Sequence, residues 1–152
     1  MASINIGKVV TGGLVAGVVA NAVDFVTNTY VLAADWQAWA VSHNIDPAVL
    51  TSGSVAATWM AVDFIFGLLL VWTYAAMRPR FGPGIQTAFF AGLVIYLAPT
   101  LIVFGFTMMG MLTMAMFIKG SCLSIISVFG AAIVGAAIYK EEGVPAAPAY
   151  AR

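Results

Sequence analysis

Long apolar stretches separated by short polar breaks dominate the chain. Each stretch reaches the roughly 20 residues that an α-helix needs to cross the hydrocarbon core of a bilayer. The pattern therefore predicts an all-α protein, a bundle of four transmembrane helices that forms a single membrane domain over residues 1–140, followed by a cytoplasmic tail over 141–152. The predicted spans cover about 6–33, 54–77, 84–107 and 112–140.

The breaks between the spans indicate the loops and the orientation. Two prolines and two glycines in residues 77–84 predict a loop, because both residue types interrupt helices. The positively charged residues that flank the spans all fall on one side of this arrangement, and the two loops on the other side contain none. The positive-inside rule then predicts that both termini are cytoplasmic and that Arg78 and Arg80 lie at the membrane interface. The flanking residues are Lys8, Arg78, Arg80, Lys140 and Arg152.

The first external loop, over residues 34–53, begins with a segment that resembles a short helix. Asp35 is a candidate N-cap, and Trp36 and Trp39 are three residues apart, which places both indoles on one helix face. We predict a short helix lying at the membrane interface. His43 offers a functional alternative as a metal ligand or acid–base group, but no Cys, His or carboxylate accompanies it at metal-ligand spacing.

The composition excludes several classes of protein. With 62% hydrophobic and 8% charged residues and a mean hydropathy of +1.02, the chain is an integral membrane protein that contacts membrane lipids. A formal net charge of zero provides no basic patch, so no nucleic-acid partner is expected. The HExxH, GxSxG and phosphate-binding glycine motifs are absent, and Cys122 is the single cysteine. We therefore predict neither an enzyme nor a bound cofactor or metal.

Three ionisable residues interrupt the predicted spans: Asp24, Asp63 and Lys119. Each lies roughly 10–14 Å from the external end of its helix, where a charge costs roughly 2.5–3.5 kcal/mol. Asn21 and Asn28 are three and four residues from Asp24 and extend the polar stripe. We expect these five residues to form a buried layer. In one interpretation Lys119 bridges both carboxylates and fixes the helix register; in the other, the excess negative charge holds a proton or a cation.

Small residues predict where the helices approach closely. Gly13 and Gly17 form a small-xxx-small pair in the first span. A longer ridge follows one face of the fourth span, and it contacts either the other spans or a second subunit. The methionines at positions 108–116 are soft potential copper ligands, but we favour packing because nothing else converges on them. The ridge consists of Gly120, Ser124, Ser127, Ala131 and Gly135.

Two segments resemble a group of small, uncharacterised bacterial membrane proteins with four spans. They are residues 72–88, which contain Arg-Pro-Arg-Phe-Gly-Pro-Gly, and residues 8–17. The resemblance covers most of the chain and implies the four-span architecture and the bacterial inner (cytoplasmic) membrane, but no activity. It also implies an acidic residue in the first span, where this chain has Asp24, and another in the fourth, where it has Lys119 instead.

These observations favour a non-enzymatic accessory or structural subunit that packs beside other membrane proteins or forms a homo-oligomer. The alternative is a small proton- or cation-coupled transporter or channel that uses Asp24 and Asp63. A third hypothesis, a membrane-embedded enzyme or cofactor holder that uses His43 or the aromatic residues inside the spans, would require a bound chromophore.

Overall fold

The computed structural model describes residues 4–139, and this part of the chain is helical without a β-strand. The predicted tail and Lys140 lie outside the described residues. The helices, in chain order, are α1 (Ile6–Val26, continued by a π-helical turn, Thr27–Val31), α2 (Ala33–Ser42), α3 (Pro47–Leu50), α4 (Gly53–Phe81), α5 (Ile85–Met108) and α6 (Met114–Ile138). Four of them are long and apolar enough to cross a membrane. The helical bundle predicted from the sequence is therefore confirmed.

The long helices alternate in direction around the bundle. Helix α1 packs against α4 and α6, and α5 packs against the same two helices from the opposite side. A smaller contact joins α4 and α6 across the diagonal. We call the end that holds the start of α1 and the turn at residues 82–84 the base. The opposite end, which carries α2, α3 and the turn at residues 109–113, is the top.

The α1–α4 crossing is the closest approach of two backbones. A Cβ added to Gly13 would lie 2.7 Å from the Cα of Leu68, and one added to Gly17 would lie 2.9 Å from the Cα of Phe64. Gly67 faces both glycines from α4. The small-xxx-small pair thus allows α4 to approach α1 at a distance that no larger side chain permits.

The ridge on α6 is buried over only part of its length. Ser127, Ala131 and Gly135 are buried, and a Cβ on Gly135 would lie 2.6 Å from a methyl group of Val71. Gly120 and Ser124 are only partly buried. Within residues 4–139, the half of the ridge nearer the base is therefore the half that packs inside the monomer.

The apolar core lies towards the base. It is built mainly from small residues, because closely packed helices leave little room between them. The members with less than 5% of their surface exposed are Val9, Ala16, Leu70, Val71, Tyr74, Ala75, Ala88, Ala91, Ala131, Ala132 and Tyr139.

The loop predicted for residues 77–84 is corrected by the structure. Helix α4 continues through Pro79 to Phe81, and the turn is confined to residues 82–84. A proline near the end of a helix removes a single backbone hydrogen bond, so the last turn persists. Gly82 and Gly84, with φ angles of 82° and 129°, then reverse the chain. The Tyr74 hydroxyl accepts a hydrogen bond from the Gly84 amide at 3.2 Å.

The predicted capping role of Asp35 is also corrected. Helix α2 begins at Ala33 with Leu32 at the N-cap position, so Asp35 lies within the first turn. The π-helical turn leads directly into α2, because the Leu32 amide donates to the Thr27 carbonyl at 2.9 Å. Only Leu32 separates the two elements, which leaves no extended residue for a side-chain cap.

Candidate functional site

Of the three ionisable side chains inside the spans, those of Asp24 and Asp63 come together in the upper half of the bundle. The Asp24 side chain on α1 lies close to that of Asp63 on α4 and to that of Ser127 on α6. Asp24 is one helical turn from the buried Ala20, and Asp63 is one turn from the buried Gly67. Both side chains therefore continue the core-facing stripes of their helices. We call Asp24 and Asp63 the carboxyl pair.

Lys119 does not join this pair. Its Nζ donates to Oδ2 of Asp35 on α2 at 2.8 Å. Within the described range, residues 4–139, this is the single salt bridge. Helix α6 begins at Met114, so Lys119 is only five residues from its end, and a long lysine stem carries the charge towards the interface. The expected layer of Asp24, Asp63 and Lys119 is therefore corrected. The carboxyl pair has no cationic partner among the described residues.

The two asparagines support the backbone around the pair. Asn21 Nδ2 donates to the Gly17 carbonyl at 2.9 Å and to the Met60 carbonyl on α4 at 3.3 Å, so it ties α4 to α1. Asn28 Nδ2 donates to the Asp24 carbonyl at 2.8 Å. The two asparagines themselves lie about one turn below and one turn above Asp24 on α1, and their amide nitrogens donate to backbone carbonyls.

The upper half of the bundle is loosely packed around the pair. No residue is fully buried in the four segments 21–26, 53–66, 93–106 and 117–126, all of which the structure describes. Asp24 and Asp63 are themselves only partly buried, although they face inwards. A Cβ added to Gly120, two helical turns above Ser127, would meet no atom within 4 Å. The pair consequently lies in a less tightly buried part of the bundle than the core near the base.

Helix α2 is held across the top by hydrogen bonds from its two tryptophans and by the salt bridge of Asp35. The indole Nε1 of Trp36 donates to Oδ1 of Asn28 at 3.0 Å, and that of Trp39 donates to the Met111 carbonyl at 2.7 Å. His43 stacks on Trp39 with ring centroids 4.5 Å apart, and its Nδ1 lies 2.8 Å from the Trp39 carbonyl. His43 therefore packs against the end of α2 through Trp39.

The chemistry of the carboxyl pair follows from its composition. An ionised carboxylate only accepts hydrogen bonds, so two carboxyl groups are joined by one only when one of them carries a proton. When both are ionised, a cation has to offset the repulsion of two like charges in an apolar span. Two carboxyls and one hydroxyl supply at most five oxygens, so Mg²⁺ or Ca²⁺, which bind six or more, would also keep water ligands. Residues 4–139 contain no cluster of three or more His, Cys, Asp or Glu side chains that could hold a metal.

At the base, Arg78 and Tyr139 form part of the packing. The Arg78 guanidinium lies 5.6 Å from the centre of the Tyr139 ring, and the Tyr139 hydroxyl accepts a hydrogen bond from the Asn5 amide at 3.3 Å. Arg80 is exposed. The two arginines predicted together at the interface thus differ, because Arg78 also holds the end of α6 against α4.

Three contacts are not evident from the sequence. The Asp35 carboxylate is the partner of Lys119 rather than a helix cap. Ser127 belongs to the ridge of small residues on α6 and also lies close to Asp24. Gly67 forms the α4 side of the α1–α4 crossing. A Gly in the middle of a long apolar span is itself a signal of close approach, whereas the two side-chain pairings depend on helix rotation.

Comparison with protein-family models, with curated proteins and with solved structures gives no match for this chain. The functional argument therefore depends on the geometry of the site.

Proposed function

We propose that this chain is a non-enzymatic, multi-pass protein of the bacterial inner membrane that acts as a small proton- or cation-coupled transporter through Asp24 and Asp63. Both termini are cytoplasmic in this proposal, and α2 lies at the outer membrane interface. The supporting observation is that the carboxyl pair lies inside apolar helices without a lysine or arginine partner among the described residues. A pair fixed only for structure would be expected to have its charge compensated.

The location of the pair also supports transport. Membrane carboxylates that face a bundle interior are expensive and are typical of ion or proton pathways. Asp24 and Asp63 face inwards without being fully buried, and in this proposal a proton or cation reaches them from the top of the bundle and leaves again. The neighbouring Ser127 hydroxyl supplies one further oxygen for whichever ion is bound.

Ion flux into proteoliposomes tests the proposal. We expect the wild-type protein to carry a proton or alkali-cation flux that Asp24→Asn and Asp63→Asn abolish, because asparagine keeps the shape of the side chain and loses its charge. Asp46→Asn is the matched control, since Asp46 caps the short α3 and lies outside the bundle interior. Flux in Asp24→Asn and Asp63→Asn equal to that of the wild type would contradict the proposal. Varying pH and Na⁺ separately identifies the ion.

A second candidate is an accessory or structural subunit that contacts other membrane proteins or further copies of itself. Gly105 on α5 and Gly120 on α6 favour the accessory role. A Cβ at either position would meet no atom within 4 Å, and small residues often mark contacts between transmembrane helices. Native mass spectrometry after gentle extraction distinguishes the possibilities. A defined complex with unrelated subunits supports the accessory role, a homo-oligomer is compatible with transport, and a monomer that binds only lipid contradicts the accessory role.

A further inference from the structure

Helix α2 is joined to three different parts of the top. Asp35 pairs with Lys119 on α6, Trp36 binds Asn28 above α1, and Trp39 binds the carbonyl of Met111 in the α5–α6 turn. These contacts use two indole donors and one ion pair, and each joins residues that are at least eight positions apart. Helix α2 therefore extends across the top from the upper end of α1 to that of α6.

The carboxyl pair lies below α2, further from the top along α1 and α6. Lys119 is eight residues, or roughly 12 Å, above Ser127 on α6, and Ser127 contacts Asp24 from across the α1–α6 interface. On α1, Asn28 is one turn above Asp24. An ion that approaches the pair from the top along α1 and α6 therefore meets α2 first.

The connection between α1 and α2 is the π-helical turn Thr27–Val31. Such turns are short and occur often at functional sites. Asn28 belongs to this turn and joins both sides: its amide nitrogen binds the Asp24 carbonyl at 2.8 Å, and its amide oxygen accepts from Trp36 at 3.0 Å. A displacement of α2 is thereby transmitted to the backbone of Asp24.

We propose that α2 is a lid over the carboxyl pair, held closed by the Asp35 to Lys119 ion pair and the Trp39 indole, and that breaking these contacts exposes the pair to the aqueous phase at the top. The role of this lid in controlling ion access rests on the proposed transport function. Access to the carboxyl groups is nevertheless measurable without any transport.

The ion pair is suited to a reversible contact because it is only partly shielded. The Lys119 side chain is 47% exposed and that of Asp35 is 24% exposed. Ion pairs with such exposure contribute little stability, so opening requires only modest free energy. A fully buried pair would instead fix α2 permanently.

Labelling with a water-soluble carbodiimide, read by peptide mass spectrometry in lipid nanodiscs, tests the lid. In Lys119→Met the labelling of Asp24 and Asp63 should rise about 1.4- to 5-fold, the range that the loss of a partly exposed ion pair produces. The charge-swapped Asp35→Lys/Lys119→Asp variant should return labelling towards the wild-type level. Lys8→Met removes a lysine near the base and is the matched control, for which labelling should equal that of the wild type.

Trp39→Phe provides an independent variant, because it removes the donor to the Met111 carbonyl and keeps an aromatic ring. It should also increase labelling of the carboxyl pair. Equal labelling in the wild type, Lys119→Met and Trp39→Phe would overturn the lid. The transport proposal would then be tested separately, by ion flux in Asp24→Asn. If that variant lost flux while labelling stayed unchanged in the lid variants, the carboxyl pair would transport ions without a lid.

Discussion

Replacing Gly67 by alanine should destabilise the bundle, although alanine is the better helix former. The added Cβ would lie 2.5 Å from the Gly17 amide nitrogen and 2.9 Å from its Cα, and it would also contact the Gly13 carbonyl oxygen. These are backbone atoms, so no side-chain rotation relieves the contacts. Ordinary carbon contacts of about 3.5–4.0 Å require α1 and α4 to separate by about 1 Å.

The magnitude follows from two opposing terms. Overpacking costs typically about 1–3 kcal/mol, and contact with backbone places Gly67→Ala at the upper end of that range. The gain in helix propensity offsets about 1 kcal/mol, so a net loss of about 2 kcal/mol remains. Gly105→Ala is the matched control in α5, because its Cβ would meet no atom within 4 Å. This control should be more stable than the wild type by up to about 1 kcal/mol.

Thermal unfolding followed by circular dichroism in detergent measures the difference. The two variants should differ by about 3 kcal/mol, which corresponds to melting temperatures roughly 6–12 °C apart for a chain of this size. Gly67→Ala should be the less stable of the two. If its melting temperature were equal to or above that of Gly105→Ala, the close α1–α4 crossing would be refuted.

Three further variants test individual contacts. Thr113→Ala removes the hydroxyl that accepts at the N-cap of α6 and should cost about 1 kcal/mol in thermal unfolding; no change would mean that the cap is not formed. A double-mutant cycle on Asp35→Asn and Lys119→Met should give a coupling of about 0.2–1 kcal/mol, and zero coupling would show that the ion pair does not stabilise the fold. Tyr74→Phe removes the acceptor for the Gly84 amide and should cost about 0.5–1.5 kcal/mol, whereas an unchanged melting temperature would show that water replaces the hydroxyl.

The sequence is sufficient to predict the long helices because about 20 apolar residues in succession have few alternatives to a membrane span. The turn near the base was less predictable. Pro79 is a strong helix breaker in general, but its effect depends on how close it lies to the helix end, and α4 ends only at Phe81. The two glycines that follow, rather than the proline, mark the turn.

The side-chain pairings could be predicted only in part. Asp24 and Asp63 were expected to meet from their common depth, and the structure brings them together. The same argument failed for Lys119, because depth along a helix specifies neither its rotation nor the direction of a flexible side chain. Asp35 belongs to a short helix whose position over the bundle is not encoded in hydropathy, so its pairing with Lys119 required the fold.

Cross-linking of engineered cysteines tests most directly that the carboxyl pair is adjacent and separate from Lys119. In a Cys122→Ser background, Asp24→Cys/Asp63→Cys and Asp63→Cys/Lys119→Cys are treated in native membranes with the same short bifunctional thiol reagent. The geometry predicts an intramolecular bridge between positions 24 and 63 and none between positions 63 and 119. A bridge between 63 and 119, with none between 24 and 63, would contradict an uncompensated carboxyl pair and the transport function proposed for it.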